Sequence, residues 1–189
     1  MHHRFSTLAL MHRSMIGWLA AAMMIPTTAV AGDSPWARFF GTYAGRGDTT
    51  VDGELTARDL SVKIQKAPKG FSVSWTTVIR KVDGRIKRKD YTIRFVPTQD
   101  QHLYSSAMRV NMFGKAVPLD PMKGEPYVWA TLKGDTLTVH ALELTDTYGY
   151  EMQVYERRLT DDGLALKFSR VRDGERLRDV HASLVRIPE

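Results

Sequence analysis

Arg38-Phe39-Phe40-Gly41-Thr42-Tyr43-Ala44-Gly45-Arg46-Gly47 places an aromatic ring or a glycine at every second position from Phe39 to Gly47. This alternation is typical of an extended strand with one buried face. Three glycines would weaken an ordinary strand. They are tolerated where a strand bends sharply or another backbone approaches closely, as at the corner of a small barrel. We therefore predict that this segment is the first strand of a barrel and that an aromatic ring plugs one end.

The rest of the chain alternates in the same way between turn signals such as Asp83-Gly84 and Asp173-Gly174. Gly114 to Pro126 is the longest region without periodicity. No long window has a helical period. The predicted strands are Leu60–Gln65, Phe71–Ile79, Tyr91–Phe95, a bulged strand in 102–113, Tyr127–Lys133, Thr136–Leu144, Gly149–Arg158, Leu164–Arg172 and Arg176–Ile187.

Short strands joined by tight turns indicate an all-β, up-and-down antiparallel fold. A sandwich and a closed barrel both satisfy this pattern. We favour a single barrel of about 8–10 strands, because closure removes the exposed sheet edges. An outer-membrane barrel is the competing interpretation, but the apolar face carries side chains of widely different sizes, as in a packed or ligand-filled core.

The N-terminus has the features of a cleaved signal peptide. Arg4 and Arg13 form a basic region, Met15 to Ile25 is an apolar run, and Ala29-Val30-Ala31 resembles a cleavage site. We predict a signal peptide at 1–31 and one barrel domain at 32–189, located in the periplasm or secreted. The chain has no cysteine, so the exported domain depends on its core rather than on disulfides.

The formal net charge is +6, and part of this surplus is local. Six basic residues crowd around one hairpin turn: Arg80, Lys81, Arg85, Lys87, Arg88 and Lys89. Export argues against nucleic acid as a partner. We interpret the cluster as a solvated hairpin tip, with contact to an anionic surface as the alternative.

The run Phe39-x-Gly41-x-Tyr43-x-Gly45-x-Gly47 resembles the first strand of the calycin superfamily, which includes lipocalins, fatty-acid-binding proteins and nitrobindins. This chain has Tyr43 where lipocalins and nitrobindins have tryptophan. In lipocalins a basic side chain from a late strand covers that aromatic ring, and the resemblance implies this role for Arg186. A guanidinium over an aromatic face is favourable by ~1 kcal/mol or more when shielded. Tyr43 and Arg186 are therefore the predicted closure of a calycin-like barrel.

Barrels of this kind usually hold an apolar molecule, and the resemblance implies a lipocalin-like binding protein. We expect a small hydrophobic or aromatic ligand, because the predicted inner face is rich in aromatic rings and methionine. A fully packed barrel acting as a structural or partner-binding module is the alternative. The predicted ligand-binding residues are Trp75, Tyr91, Phe95, Trp129, Tyr150, Met152 and Phe168.

Signatures of enzymes and metal sites are missing from the sequence. The candidate for acid–base chemistry, as in an isomerase or cyclase, is Glu156, which shares its predicted inner face with Tyr150 and Met152. Glu151 is predicted to face outward. His181 resembles in its position the haem ligand of nitrobindins, but alternation with Val180 places it on the outer face. We expect no metal and no cofactor, and haem ligated by His181 is the alternative.

Overall fold

The structure is a computed structural model that describes residues 34–51, 54–80, 83–107, 109–110, 116–117 and 119–188. The predicted signal peptide, residues 1–31, and Lys81 of the basic hairpin lie outside the described residues.

The described chain consists almost entirely of strands. Tyr127–Lys133 and Thr136–Leu144 have the bounds that the sequence predicts. Of the three later strands, the first is shifted by one residue at both ends and the other two begin one residue earlier than predicted. The strands are β1 Gly41–Val51, β2 Glu54–Ala67, β3 Gly70–Arg80, β4 Ile86–Pro97, β5 Leu103–Ser106, β6 Arg109–Val110, β7 Ala116–Val117, β8 Tyr127–Lys133, β9 Thr136–Leu144, β10 Tyr150–Leu159, β11 Gly163–Arg172 and β12 Glu175–Ile187, with short 3-10 turns at Ala37–Phe39 and Pro121–Lys123.

Among the described residues, ten antiparallel strands form a closed barrel in the order β1-β12-β11-β10-β9-β8-β5-β4-β3-β2. The predicted fold class, all-β with a single antiparallel up-and-down barrel of about 8–10 strands, is confirmed. Within the described ranges, strands β6 and β7 form a separate two-stranded sheet, and β5 pairs directly with β8. Closure comes from the pairing of β1 with β12, in which Tyr43 lies opposite Arg186 and Gly45 lies opposite Leu184.

Two glycines of β1 occupy positions where the neighbouring strand leaves little room for a larger residue. Gly41 has a φ of 149°, and a Cβ atom there would lie 3.0 Å from the Arg186 guanidinium. A Cβ atom at Gly45 would overlap the carbonyl oxygen of Ser183 on the neighbouring strand. The backbone of β1 therefore approaches β12 more closely than a strand with side chains at these positions would allow.

Aromatic side chains fill the end of the barrel near Tyr43. Phe71 stacks on Phe95 with ring centroids 5.4 Å apart, and Tyr104 meets Phe71 edge-on at 5.3 Å. Trp36 lies over the same group, 5.7 Å from Phe71. These rings are close enough for favourable aromatic contacts, so this end of the barrel is packed.

Arg186 and Tyr43 connect the packed end to the closure seam. The Arg186 guanidinium carbon lies 5.0 Å from the centroid of the Tyr43 ring. Arg186 also donates hydrogen bonds to the Tyr43 hydroxyl and to the carbonyl oxygen of Phe40, both at 2.7 Å. The Tyr43 hydroxyl in turn donates to the carbonyl oxygen of Phe39 at 2.9 Å. One side chain thus holds the 3-10 turn, β1 and β12 together.

We expect Arg186→Met to lower the free energy of unfolding by about 2–3 kcal/mol, because it removes charged hydrogen bonds and a cation–π contact. Urea denaturation followed by tryptophan fluorescence measures this change. The matched control is Arg94→Met, which replaces an exposed arginine on the outside of β4. Its free energy of unfolding is expected to stay within about 0.5 kcal/mol of the wild-type value. Equal stability of the two variants would contradict a role for Arg186 in closure.

Candidate functional site

The barrel encloses a cavity of about 220 Å³ beyond the aromatic plug. Its walls come mainly from β2, β3 and β4 on one side and from β10, β11 and β12 on the other. The apolar part of the lining is Leu60, Val62, Trp75, Leu166, Phe168 and Val180, and the ionisable and amide part is Arg58, Lys89, Tyr91, Glu143, Glu151, Gln153, Tyr155, Arg157, Arg170 and Arg178.

The charge of this lining is unbalanced. Among the described residues that line the cavity, five are cationic and only Glu143 and Glu151 are acidic, which leaves a surplus of three positive charges. Charged side chains seldom point into a barrel unless they are paired. The pairing of each charge therefore decides what the cavity is suited to hold.

Glu151 is the acceptor in a hydrogen-bonded chain along the inner face of β10. Its side chain is 4% exposed and accepts from Arg170 at 2.5 Å and from Arg172 at 2.9 Å. Gln153 donates to Glu151 at 2.8 Å, and the Tyr155 hydroxyl donates to Gln153 at 2.9 Å. Burial alone would raise the pKa of Glu151, but the hydrogen bonds from Arg170, Gln153 and Arg172 lower it to about 2. Glu151 is therefore ionised at neutral pH and committed to its two arginines.

Arg157 continues the same inner face but lacks such partners. Its side chain is 0% exposed. Its guanidinium carbon lies 5.3 Å from the centroid of the Trp75 ring and 5.5 Å from that of Tyr155. The Nη1 atom makes one long hydrogen bond, 3.4 Å, to the Tyr155 carbonyl oxygen. No described residue accepts a hydrogen bond from Nε or Nη2. Burial lowers the pKa of Arg157 to about 10, which still leaves the side chain charged at neutral pH.

Aromatic rings form the wall beside Arg157. Trp75 stacks on Tyr91 with centroids 5.2 Å apart, and it meets Tyr155 at the same distance. Tyr155 also packs against Phe168 at 4.6 Å. Burial raises the pKa of Tyr155 to about 12, so this phenol stays neutral at physiological pH. The arrangement offers flat apolar surfaces next to a buried cation.

The structure places several predicted site residues at the cavity. Trp75, Tyr91 and Phe168 line it, and their role in binding stays a prediction. Phe95 is fully buried in the aromatic plug instead. The hairpin cluster is partly neutralised, because Arg85 pairs with Asp83 and Arg88 pairs with Asp90.

The predicted inward orientation is wrong for Tyr150 and Met152. The sequence left open whether Val128 or Trp129 faces inward, and in the structure it is Val128. The neighbours of Trp129 on β8, Val128 and Ala130, are the buried ones, and Trp129 stacks on His140 of β9, with centroids 4.9 Å apart. On β10 the inner positions are the odd-numbered ones, so Tyr150 and Met152 lie on the outer face.

Because the predicted inner and outer faces of β10 are exchanged, the predicted orientations of its two glutamates are also wrong. Glu156 lies on the outer face, opposite Thr138 and Lys167, and not in the cavity. Glu151, predicted to face outward, is buried at the cavity. The acid–base role considered for Glu156 requires contact with a bound molecule, and this placement does not provide it.

His181 is exposed, on the opposite face of β12 from Val180. Its imidazole therefore does not point into the cavity, where a haem ligand would have to lie. In the part of the chain that the structure describes, no group of three histidine or acidic side chains is arranged to hold a metal ion. Within the described ranges, no helix has the length and apolar character needed to cross a membrane.

Sequence reasoning missed Arg157 and the other inner polar residues of β10. The information that identifies them lies in the pairing between neighbouring strands, which the structure provides. Phe168, which was predicted to face inward, and Val139, which is fully buried, both lie directly opposite Tyr155. Residues opposite one another in adjacent strands share a face, so Tyr155, and with it Arg157, has to face inward.

The chain matches no protein-family model, and no curated protein matches it. Among solved structures, the chain is similar to an S-type phycobiliprotein lyase from Guillardia theta. The TM-score is 0.35, with 8% sequence identity, and the match covers 80% of this chain and 90% of that one. The function of the present chain is therefore inferred from its cavity.

We expect the stability contributed by Glu151 to depend on pH. Its pKa in the folded protein, about 2, lies below its ordinary value of 4.5. The contribution is therefore complete above pH 4.5 and is lost as the pH falls toward 2. Glu151→Gln should lower the free energy of unfolding at pH 7 by about 2 kcal/mol and flatten this acid limb.

Denaturant titrations at a series of pH values measure the effect. Glu156→Gln, on the outer face of the same strand, is the matched control and should keep the wild-type acid limb. An acid limb in Glu151→Gln as steep as that of the wild type would contradict the assignment of the ion pairs.

Proposed function

We propose that this protein binds a small organic anion with an aromatic or otherwise apolar body inside the barrel. The observation that carries the proposal is Arg157, a fully buried guanidinium that lines the cavity with two nitrogens unpaired among the described residues. Trp75 and Tyr155 supply the apolar surface on either side of it.

The energetics of a buried cation support this function. Removing an ion from water costs several kcal/mol, and an ion pair with further hydrogen bonds is needed to offset that cost. The contacts of Arg157 with Trp75 and Tyr155 offset part of it, by about 2 kcal/mol each when shielded from water. A carboxylate or similar group would accept the remaining donors in a charge-assisted, bidentate hydrogen bond. In the unliganded barrel the Arg157 charge is therefore not fully compensated, and an anionic ligand would compensate it.

The size of the cavity limits the ligand. A volume of 220 Å³ lies below the ~300–1,000 Å³ of pockets that hold drug-sized molecules. One or two rings, or a short alkyl chain, fit this space. The aromatic wall of Trp75, Tyr91 and Phe168 favours a flat molecule.

The ionisation of the cavity residues favours binding over proton-transfer chemistry. Glu151 has a pKa of about 2 and Tyr155 a pKa of about 12. Efficient general acids and bases have pKa values near the working pH. The pKa of Glu151 is far below neutral pH and that of Tyr155 is far above it. We therefore propose a binding protein, in which the ligand is held and released unchanged.

We propose that the protein acts in the periplasm, because residues 1–31 have the charge, the apolar run and the Ala29-Val30-Ala31 site of a secretory signal. When the full chain is expressed in a Gram-negative host, we expect the periplasmic fraction to contain a protein that begins at Gly32. Intact-mass spectrometry of that fraction measures the N-terminus. A cytoplasmic protein that retains residues 1–31 would contradict this location.

The probe for the cavity is 2-naphthoate, with neutral 2-naphthamide as its uncharged counterpart. We expect 2-naphthoate to bind at least about 10-fold more tightly than 2-naphthamide, and Arg157→Met to remove this preference, because the variant lacks the buried cation. Isothermal titration calorimetry measures both affinities. The control is Arg158→Met, which removes the exposed arginine that follows on the same strand.

The stability of the unliganded variant separates a binding role from a structural one. We expect Arg157→Met without ligand to be as stable as the wild type or more stable, by up to about 4 kcal/mol, because a poorly paired buried charge is removed. A structural arginine would behave in the opposite way. A large loss of stability together with unchanged 2-naphthoate affinity would contradict the proposed function.

A further inference from the structure

Besides Arg157 and Arg170, which pairs with Glu151, three more cationic side chains line the cavity. These residues, here called the outer cluster, are Arg58 of β2, Lys89 of β4 and Arg178 of β12. Arg58 lies opposite Ile79 and Lys89 lies opposite Thr77, so the two cations flank the same strand, β3. The Nε atom of Arg58 is buried and finds no acceptor among the described residues.

The charges of the outer cluster repel one another. Burial, together with the nearby charges of Lys87, Arg170, Arg178 and Arg58, lowers the pKa of Lys89. Burial and the charge of Arg178 likewise lower the pKa of Arg58. Arg178 also lies directly opposite Arg170 in the ladder between β11 and β12, a like-charge pairing that destabilises a sheet.

Two described acidic groups of this region have other partners. Glu151 is held by Arg170 and Arg172, and Asp179, next to Arg178 in sequence, pairs with Arg176 at 2.8 Å. Glu143 is exposed. The pKa of Arg170 is raised mainly by its hydrogen bond to Glu151, and the charge of Glu143 adds to this shift. The positive charge of the outer cluster therefore remains largely uncompensated by these carboxylates.

Aromatic surface separates the outer cluster from Arg157. Arg157 lies against Trp75, and Trp75 stacks on Tyr91. Lys89 is the next inward-facing position after Tyr91 on β4, about 7 Å further along the strand. The two cationic regions are thus joined by two aromatic rings over a distance on the order of 10 Å.

We propose that the outer cluster is a second anion-binding subsite, and that the ligand is an elongated dianion with one anionic group on Arg157, an aromatic or apolar body on Trp75 and Tyr91, and a second anionic group on Arg58, Lys89 and Arg178. This inference rests on the proposed function, because it assumes that Arg157 holds the first anionic group. A second anion would neutralise the mutual repulsion of the cluster and accept the unpaired Arg58 donor.

The test compares monocarboxylates with dicarboxylates of the same ring system. The pairs are benzoate and terephthalate, 2-naphthoate and naphthalene-2,6-dicarboxylate, and biphenyl-4-carboxylate and biphenyl-4,4'-dicarboxylate. Three lengths are used so that a mismatch in length does not conceal the subsite. Calorimetry at low ionic strength is expected to show at least about 10-fold tighter binding of the dicarboxylate for one or more pairs.

Variants then assign the preference to the outer cluster. In Arg58→Gln/Lys89→Gln, the affinity for the preferred dicarboxylate should fall at least about 10-fold more than the affinity for its monocarboxylate partner. Arg85→Gln/Arg88→Gln is the control of equal charge change, because these residues pair with Asp83 and Asp90 on the exposed hairpin. This control should keep the wild-type ratio of the two affinities.

The outcomes separate the two proposals. Monocarboxylates that bind with no dicarboxylate preference at any length would overturn the second subsite and leave the proposed function standing. Equal losses of affinity for the monocarboxylate and the dicarboxylate in Arg58→Gln/Lys89→Gln would also overturn the subsite, since the cluster would then act only through general electrostatic attraction of anions. Failure of all the monocarboxylates to bind would overturn the proposed function, and with it the inference that depends on it.

Discussion

The hydrogen-bonded pairing of β1 with β12 is the constraint on which the rest of the structure depends. Once it closes the ladder, the face of every strand is set by its two neighbours, and a shift of one residue would turn a whole strand inside out. Closure needs the close backbone approach that Gly45 permits. It also brings Arg186 over Tyr43. The interior, including its polar side chains, follows from this seam.

Two arginines, exposed Arg186 and buried Arg157, show how the surroundings of a guanidinium decide its role. Arg186 lies over Tyr43, and its guanidinium also donates to a carbonyl oxygen and to a hydroxyl. Arg157 likewise lies against aromatic rings, but its one hydrogen bond is long and two of its nitrogens have no acceptor among the described residues. A satisfied guanidinium stabilises the fold. An unsatisfied one costs free energy unless a ligand completes it.

One end of the barrel stabilises the fold, and the other end contains the cavity. The aromatic plug around Phe71, Phe95 and Tyr104 supplies packing that does not depend on any bound molecule. The cavity beyond it concentrates positive charge, and one of its carboxylates, Glu151, is already committed to two arginines. Because the packed end secures the fold, the other end tolerates the electrostatic cost of a binding site.

The sequence by itself indicated the barrel and the bounds of β8 and β9, because these depend on local alternation and turn residues, whereas the contact between Tyr43 and Arg186 was implied by the resemblance of the first strand to known barrels. It did not determine which face of β10 is inside. Tyr150, Met152 and Val154 form the more apolar face, yet Glu151, Gln153, Tyr155 and Arg157 line the cavity. Alternation defines two faces without saying which is buried. Only the pairing of Tyr155 with Val139 and Phe168 decided that, and a register between strands is a property of the tertiary structure.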